Sequence, residues 1–285
     1  MSRVLVEGHV LLSLAAASWV YLAMQFGALG DRPAAWRYLV WVASNTLALY
    51  GLHRWLSWLR LPAQHADQDR WRAVGQAHRL SLSLALLGGF GGLAVLPSLD
   101  WAYLRLLVPG VLVGAAYVLP IFGGRRLRDW GALKLPSLAV TFVGLTLLVP
   151  LLARGWWRWE VYLLAVSRML FFAAHTLAFD YRDQDLDRSL GVRTLPSALG
   201  RRTARAVSLV LLSVGSATLV YVASYGPSLP QALVLVSFLL TDAVTAGELV
   251  YGFRRPRPRD RFYGLVLDGT LLLPALLYRT LSVLY

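Results

Sequence analysis

Cysteine is absent from this chain, which excludes a disulfide framework, thiolate catalysis and cysteine-ligated zinc, and leaves the redox compartment open. Strand-like alternation is also missing. The apolar runs are long and continuous, unlike the short alternating segments of an outer-membrane barrel. Acidic residues are scarce, 15 against 28 basic ones, for a net charge of +13. Such a surplus would suit nucleic acid only if it lay on one soluble face with a recognisable module. Neither is present, so no nucleic-acid partner is expected.

Apolar residues, by contrast, are abundant. They make up 57% of the chain, with eleven Trp and a mean hydropathy of +0.56. That is more apolar surface than a soluble domain of this length can bury, so the lipid bilayer is the expected surrounding. Runs close to the roughly 20 residues that cross a bilayer fall at about 4–26, 36–56, 78–96, 101–122, 132–152, 159–179, 203–224, 229–252 and 262–283. The expectation is an all-α integral membrane bundle of nine transmembrane helices, forming a single domain over residues 1–285. The first run lacks a small-residue cleavage site behind a short apolar core and reads as a permanent helix. The loop at about 57–77 has room for a short amphipathic helix. Helices two to four and six to eight follow a similar plan, a possible internal repeat. Six tryptophans, at 36, 41, 101, 156, 157 and 159, lie near expected helix ends, as in an interfacial belt.

The basic residues orient the bundle. Loops after the even-numbered helices hold 20 of the 28, including Arg54, Arg128, Arg193 and Arg257, against five in the alternate loops. By the positive-inside rule the N-terminus is cytoplasmic and the C-terminus outside. The expected location is a bacterial inner membrane.

Four of the fifteen acidic residues crowd into Asp180-Tyr-Arg-Asp183-Gln-Asp185-Leu-Asp187, at the end of the sixth run. If the helix continues through them, Asp180, Asp183 and Asp187 share a face and Asp185 points elsewhere. Three carboxylates on one face suit Mg2+, which takes a few protein oxygens and completes its shell with phosphate. The plainer explanation is a solvated helix end salt-bridged by Arg182 and Arg188.

The stretch 180–200, DYRDQDLDRSLGVRTLPSALG, resembles the second aspartate-rich motif of the UbiA superfamily of intramembrane prenyltransferases. That motif has the form D-x-x-D-x-x-x-D followed by Gly and a Thr-Leu-Pro-like stretch. Nine helices, with the motif after the sixth, also look like that family. Tyr117-Val-Leu-Pro120 followed by Arg125, Arg126 and Arg128 resembles its Tyr and basic pair after helix four. The resemblance implies transfer of an isoprenoid group from an allylic diphosphate to an apolar acceptor, with Mg2+ on Asp180, Asp183 and Asp187 at the cytoplasmic end. Asn45, Tyr117, Arg125 and Arg126 are the diphosphate-side residues it implies, and His53, Arg54 and Arg193 are further candidates to face the phosphates.

The family's first motif, N-D-x-x-D-x-x-x-D at the end of helix two, is altered here. Asn45 is kept, but Thr46, Leu49 and His53 stand where the aspartates would be. Leu cannot ligate a cation, and imidazole is a poor magnesium ligand. Arginines could take over part of the metal's work through charge-assisted hydrogen bonds. Alternatively, the chain keeps the fold as a non-catalytic protein that binds a lipid or pigment or supports a membrane complex. Neither the acceptor nor any protein partner can be read from the residues.

Ionisable residues within the spans are the remaining candidates. Arg168 and His175 share a face of helix six, with Asp242, Glu248 and Asp268 as possible partners on helices eight and nine. An Arg168–carboxylate pair could simply join two helices. His175, which can change charge near neutral pH, is a candidate acid–base residue. Glu7, His9, His65 and His78 show no spacing for a common metal site.

Overall fold

The computed structural model describes residues 9–27, 33–59, 69–121, 123–189, 191–192, 194–254 and 262–285. Arg193 and Arg257 lie outside these residues, as do His65, Glu7 and residues 60–68, the middle of the 57–77 stretch in which a short amphipathic helix is expected.

Nine helical segments make up the described residues. They are α1 (Val10–Phe26), α2 (Pro33–Leu59), α3 (Asp69–Val95), α4 (Trp101–Val118) and α5 (Gly131–Leu152), then α6 (Trp159–Ser189), α7 (Leu195–Ala223), α8 (Leu229–Arg254) and α9 (262–284). Seven of them are long and apolar enough to cross a membrane. The seventeen-residue α1 is apolar but shorter, and α2 carries Arg37, His53 and Arg54 within its length. The architecture is all-α, as expected. Helices α2, α3 and α6 run further than hydropathy suggested: α3 begins at Asp69, not His78, and α6 reaches Ser189. Polar turns that leave the hydrocarbon remain helical because backbone hydrogen bonding continues past the point where apolar side chains stop.

Helix α1 lies at the centre. Trp19 is fully buried against Phe142, Phe171 and Phe238, and its indole N–H donates to the Leu271 carbonyl at 2.9 Å. Large exposed apolar side chains such as Leu87, Phe90, Val210 and Leu276 cover the outer faces. Burial against water cannot be their role, and they suit lipid. Helices α2 and α3 approach closely over small residues. A β-carbon on Gly88 would stand 2.5 Å from the Ser44 carbonyl, and one on Gly92 would stand 2.5 Å from the Asn45 amide nitrogen. Close backbone approach of this kind replaces the hydrophobic drive that is missing between helices in lipid.

Across the middle of the bundle, Arg168 and Asp242 meet in a two-pronged pair, 2.9 and 2.8 Å, with no exposure at Arg168. Ser216 of α7 donates to the same carboxylate at 2.7 Å, and Ser167 bridges from Arg168 to the Gly215 carbonyl. The network joins α6, α7 and α8. Its charges and polar atoms are satisfied, as a pair in low dielectric must be. Glu248 accepts from Thr270 at 2.7 Å and links α8 to α9.

Candidate functional site

The even-numbered helices end, and the odd-numbered ones begin, at one end of the bundle. There the acidic motif, the loop after α4 and the end of α2 come together.

Helix α6 does continue through the acidic cluster. It is closed by Gly191, whose φ of 73° few other residues tolerate. The Gly191 amide donates to the Arg188 carbonyl and the Val192 amide to the Asp187 carbonyl at 2.8 Å, so the cap holds Asp187 at the last turn. Asp180 and Asp187, two turns apart on one face, are both buried. Between them lies the ammonium of Lys134, 2.8 Å from Asp180 Oδ1 and 2.7 Å from Asp187 Oδ2. Lys134 is itself only 4% exposed, in the second turn of α5. Of its three N–H donors two have these partners.

Asp183 lies 2.7 Å from Arg182 Nε, whose guanidinium also lies over the Phe179 and Tyr263 rings, and its charge acts on Asp180 and Arg128 as well. Asp185 is exposed beside Arg188, as its position on the helix required.

Of the basic residues after α4, Arg128 reaches the site. It contacts the His53 imidazole and lies over the Tyr117 ring, 5.7 Å from its centre. Arg126 is buried but committed to Asp129, whose carboxylate accepts from its backbone amide at 2.9 Å and from its guanidinium at 2.9 Å. Burial raises the Asp129 carboxyl, but the hydrogen bonds from Arg126 outweigh it and hold the group below the ordinary carboxylate range. Arg125 is exposed on the loop. Arg54 lies near enough to Asp268 for its charge to act there, as does Arg182.

An apolar cavity of about 60 Å3 lies between α2, α4 and α5. Its walls include Leu49, Leu138, Phe142 and Leu145. Because α2 and α5 run in opposite directions, His53 and Tyr117 mark one end and Trp41 with Leu145 the other. At the far end Tyr38 stacks on Tyr103 at 4.6 Å and donates to the Leu145 carbonyl at 2.6 Å. That carbonyl belongs to the wide turn Gly144–Leu148, just before Pro150, which has no N–H to continue the regular ladder. Asn45 lines the cavity and bonds back to the Trp41 carbonyl at 2.9 Å.

His175 stands apart. It is buried among Phe171, Phe172 and Phe179, does not line the cavity, and neither ring nitrogen has a hydrogen-bond partner among the described residues.

The donor set does not form the magnesium cage expected from the sequence. Mg2+ takes oxygens at about 2.0–2.1 Å in octahedral geometry, yet the space between Asp180 and Asp187 holds the Lys134 ammonium, and Asp183 faces Arg182. The facing helix offers Thr46, Leu49 and His53. Among the described residues no group of three His, Asp or Glu is arranged to hold a metal.

The acidic motif gives no sign of Lys134, though composition marks it. It is the sole lysine among the 28 basic residues. A chain that otherwise uses Arg everywhere places here a compact ammonium with three rotatable donors.

This arrangement defines a class first: a membrane bundle with an apolar cavity running up to a cluster of cations and carboxylates. The chain belongs to the UbiA prenyltransferase family, whose model matches residues 63–267. It is similar to a UbiA homologue of Archaeoglobus fulgidus bound to GPP and Mg2+, with 11% identity, 98% and 99% of the two chains covered and a TM-score of 0.69. The apo structure of a UbiA homologue from Aeropyrum pernix K1 is similar at 18% identity, 95% and 97% coverage and a TM-score of 0.65. A digeranylgeranylglyceryl phosphate synthase shares the fold at 11% identity, 100% of each chain and a TM-score of 0.54. None of the curated proteins matches the chain in sequence.

Proposed function

We propose that this protein transfers an isoprenoid group from an allylic diphosphate to an apolar acceptor within the membrane. One observation carries the reading: His53 and Tyr117 line one end of the apolar cavity, and the Arg128 guanidinium lies against both of them, within reach of the charges of Asp183 and Asp187. A donor would lay its hydrocarbon tail along Leu49, Phe142 and Leu145 and bring its diphosphate to Arg128 and the remaining N–H of Lys134. Family membership and the GPP-bound relative support the same donor class.

In the reaction the C1–O bond of the donor breaks and its electron pair leaves on the diphosphate. The allylic cation then takes an electron pair from the acceptor to form the new bond, and the acceptor gives up a proton to water or to the departing diphosphate. The protein needs no covalent nucleophile. Cations aimed at the leaving oxygens stabilise the charge that grows there, and apolar walls keep water from the carbocation. The tyrosine face at the cavity end can stabilise positive charge as well. The basic excess of the loops at this end supports a site on the cytoplasmic side. Magnesium is where this chain departs from the pattern of its relatives.

Lipid extracts from cells with and without the gene, incubated with geranyl diphosphate and the purified protein, test the reading. A prenylated lipid formed only with the protein, with release of one diphosphate per product, is the expected result. Binding of the donor without any release would instead assign a non-catalytic lipid-binding role.

A further inference from the structure

We propose that this site holds and activates its diphosphate without a divalent metal ion, the ammonium of Lys134 standing where a bridging cation would stand between Asp180 and Asp187. The inference rests on the donor reading above and concerns how that donor is held.

Three independent placements carry it. First, Lys134 contacts both carboxylates at 2.8 and 2.7 Å while buried to 96%, so the two groups best placed to share a metal are already bridged. A buried carboxylate pair needs a counter-charge, and a resident ammonium supplies it without a diffusible ion. Second, the helix facing the motif bears no carboxylate along Asn45, Thr46, Leu49 and His53, so a metal entering with the diphosphate would find protein ligands on one side only. Losing those charges also lowers the positive charge the site needs in order to accept an anion. Third, Arg128 lies against His53 and Tyr117 at the cavity end, close to the charges of Asp183 and Asp187, and a guanidinium can take two phosphate oxygens at once. Arg128 and the third donor of Lys134 thus form a two-point cationic grip beside the apolar cavity.

The chemistry is the same heterolysis, with the leaving diphosphate stabilised by ammonium and guanidinium donors. Lys134 acts twice, compensating Asp180 and Asp187 and donating to the diphosphate. The first role demands a compact cation on a flexible stem, which accounts for a lysine in a chain otherwise confined to arginine.

Calorimetric titration of the purified full chain in lipid nanodiscs with geranyl diphosphate, once in EDTA and once in excess Mg2+, tests this. The dissociation constants are expected to agree within about twofold, well below the effect of losing one charged hydrogen bond. Lys134→Gln should weaken binding in EDTA by about tenfold or more, and added Mg2+ should restore part of it by entering between the freed Asp180 and Asp187. If Lys134→Gln does not fold, thermal unfolding of the unmodified chain answers instead. Geranyl diphosphate should raise the midpoint equally in EDTA and in Mg2+, and Mg2+ alone should not raise it. Binding or stabilisation that appears only with Mg2+ overturns metal independence and leaves the donor reading standing. Absence of binding under both conditions overturns the donor reading itself.

Discussion

Arg128 meets His53 across the gap between the α4–α5 loop and the end of α2, and so sets a cation against the ring that lines the polar end of the apolar cavity. Its neighbour Arg126 faces the loop's own Asp129. Two arginines of one short loop therefore have separate tasks, one at the cavity and one holding the loop in shape.

Arg128→Ala is accordingly expected to weaken geranyl diphosphate binding by about 1.5–3 kcal/mol, the worth of a hydrogen bond to a charged group. Arg126→Ala should chiefly lower thermal stability and change the dissociation constant less. Calorimetry and thermal unfolding on both variants check the division; equal losses of affinity would refute it.

The Arg126–Asp129 contact also has a pH dependence of definite sign. Asp129 is held below the ordinary carboxylate range in the folded protein, so its stabilising contribution is present above the ordinary value and is lost as pH falls through the depressed one. Asp129→Asn should reduce the drop in unfolding midpoint between neutral and acidic pH, and an unchanged drop would remove Asp129 from the account.

The pair Arg168–Asp242 makes a different demand. Breaking a buried pair leaves one charge uncompensated and costs about 3–5 kcal/mol, whereas replacing both partners by apolar groups is often close to neutral. Asp242→Leu alone should therefore lower the unfolding midpoint sharply, and Arg168→Met with Asp242→Leu should recover most of the loss. A double variant as unstable as the single one would show that Ser167 and Ser216 depend on the charges as well.

Absence of cysteine makes the orientation directly measurable. Arg125→Cys, on an exposed loop position at the site end, should react with an impermeant thiol reagent only from the cytoplasmic face, and Trp157→Cys at the opposite end only from outside. Reaction of both from one face would overturn the sidedness.

What the sequence disclosed follows from which signals are local. Long apolar runs, the spacing of Asp180, Asp183 and Asp187, and the glycine that ends α6 are properties of neighbouring residues, so the helices and the acidic face were legible. The pairing of Arg168 with Asp242 was open to reading only as one choice among three carboxylates, since the partner is fixed by how α6 and α8 pack. The site's cations were harder. Arg125, Arg126 and Arg128 look alike in sequence, and only the turn of the loop sends Arg128 to His53 while Asp129 retains Arg126. Lys134 lies 46 residues before Asp180, and nothing along the chain couples them. The bridge arises where the start of α5 packs beside the end of α6.

His175 has both ring nitrogens buried without partners among Phe171, Phe172 and Phe179. An unsatisfied buried polar group costs about 1–3 kcal/mol. His175→Phe is therefore expected to raise the unfolding midpoint and leave geranyl diphosphate affinity unchanged. If the histidine instead handles the acceptor, the variant will keep donor affinity but lose turnover, and His175→Gln will lose it too.

Trp41 sets the length of the cavity. From His53 to Trp41 the α2 axis advances roughly 18 Å, at about 1.5 Å per residue, and beyond Trp41 the stacked Tyr38 and Tyr103 block the way. A tail longer than this space must bend or leave between helices towards lipid. Trp41→Leu removes ring volume at the far end while keeping an apolar wall, so affinity should shift from shorter towards longer allylic diphosphates. The shift should come without loss at the diphosphate end, because Arg128 and Lys134 lie at the other end of the cavity. Competition between geranyl and geranylgeranyl diphosphate, measured on the unmodified chain and on the variant, reads the change. An unaltered preference would mean that the tail does not run along α2, and would move the donor out of this cavity.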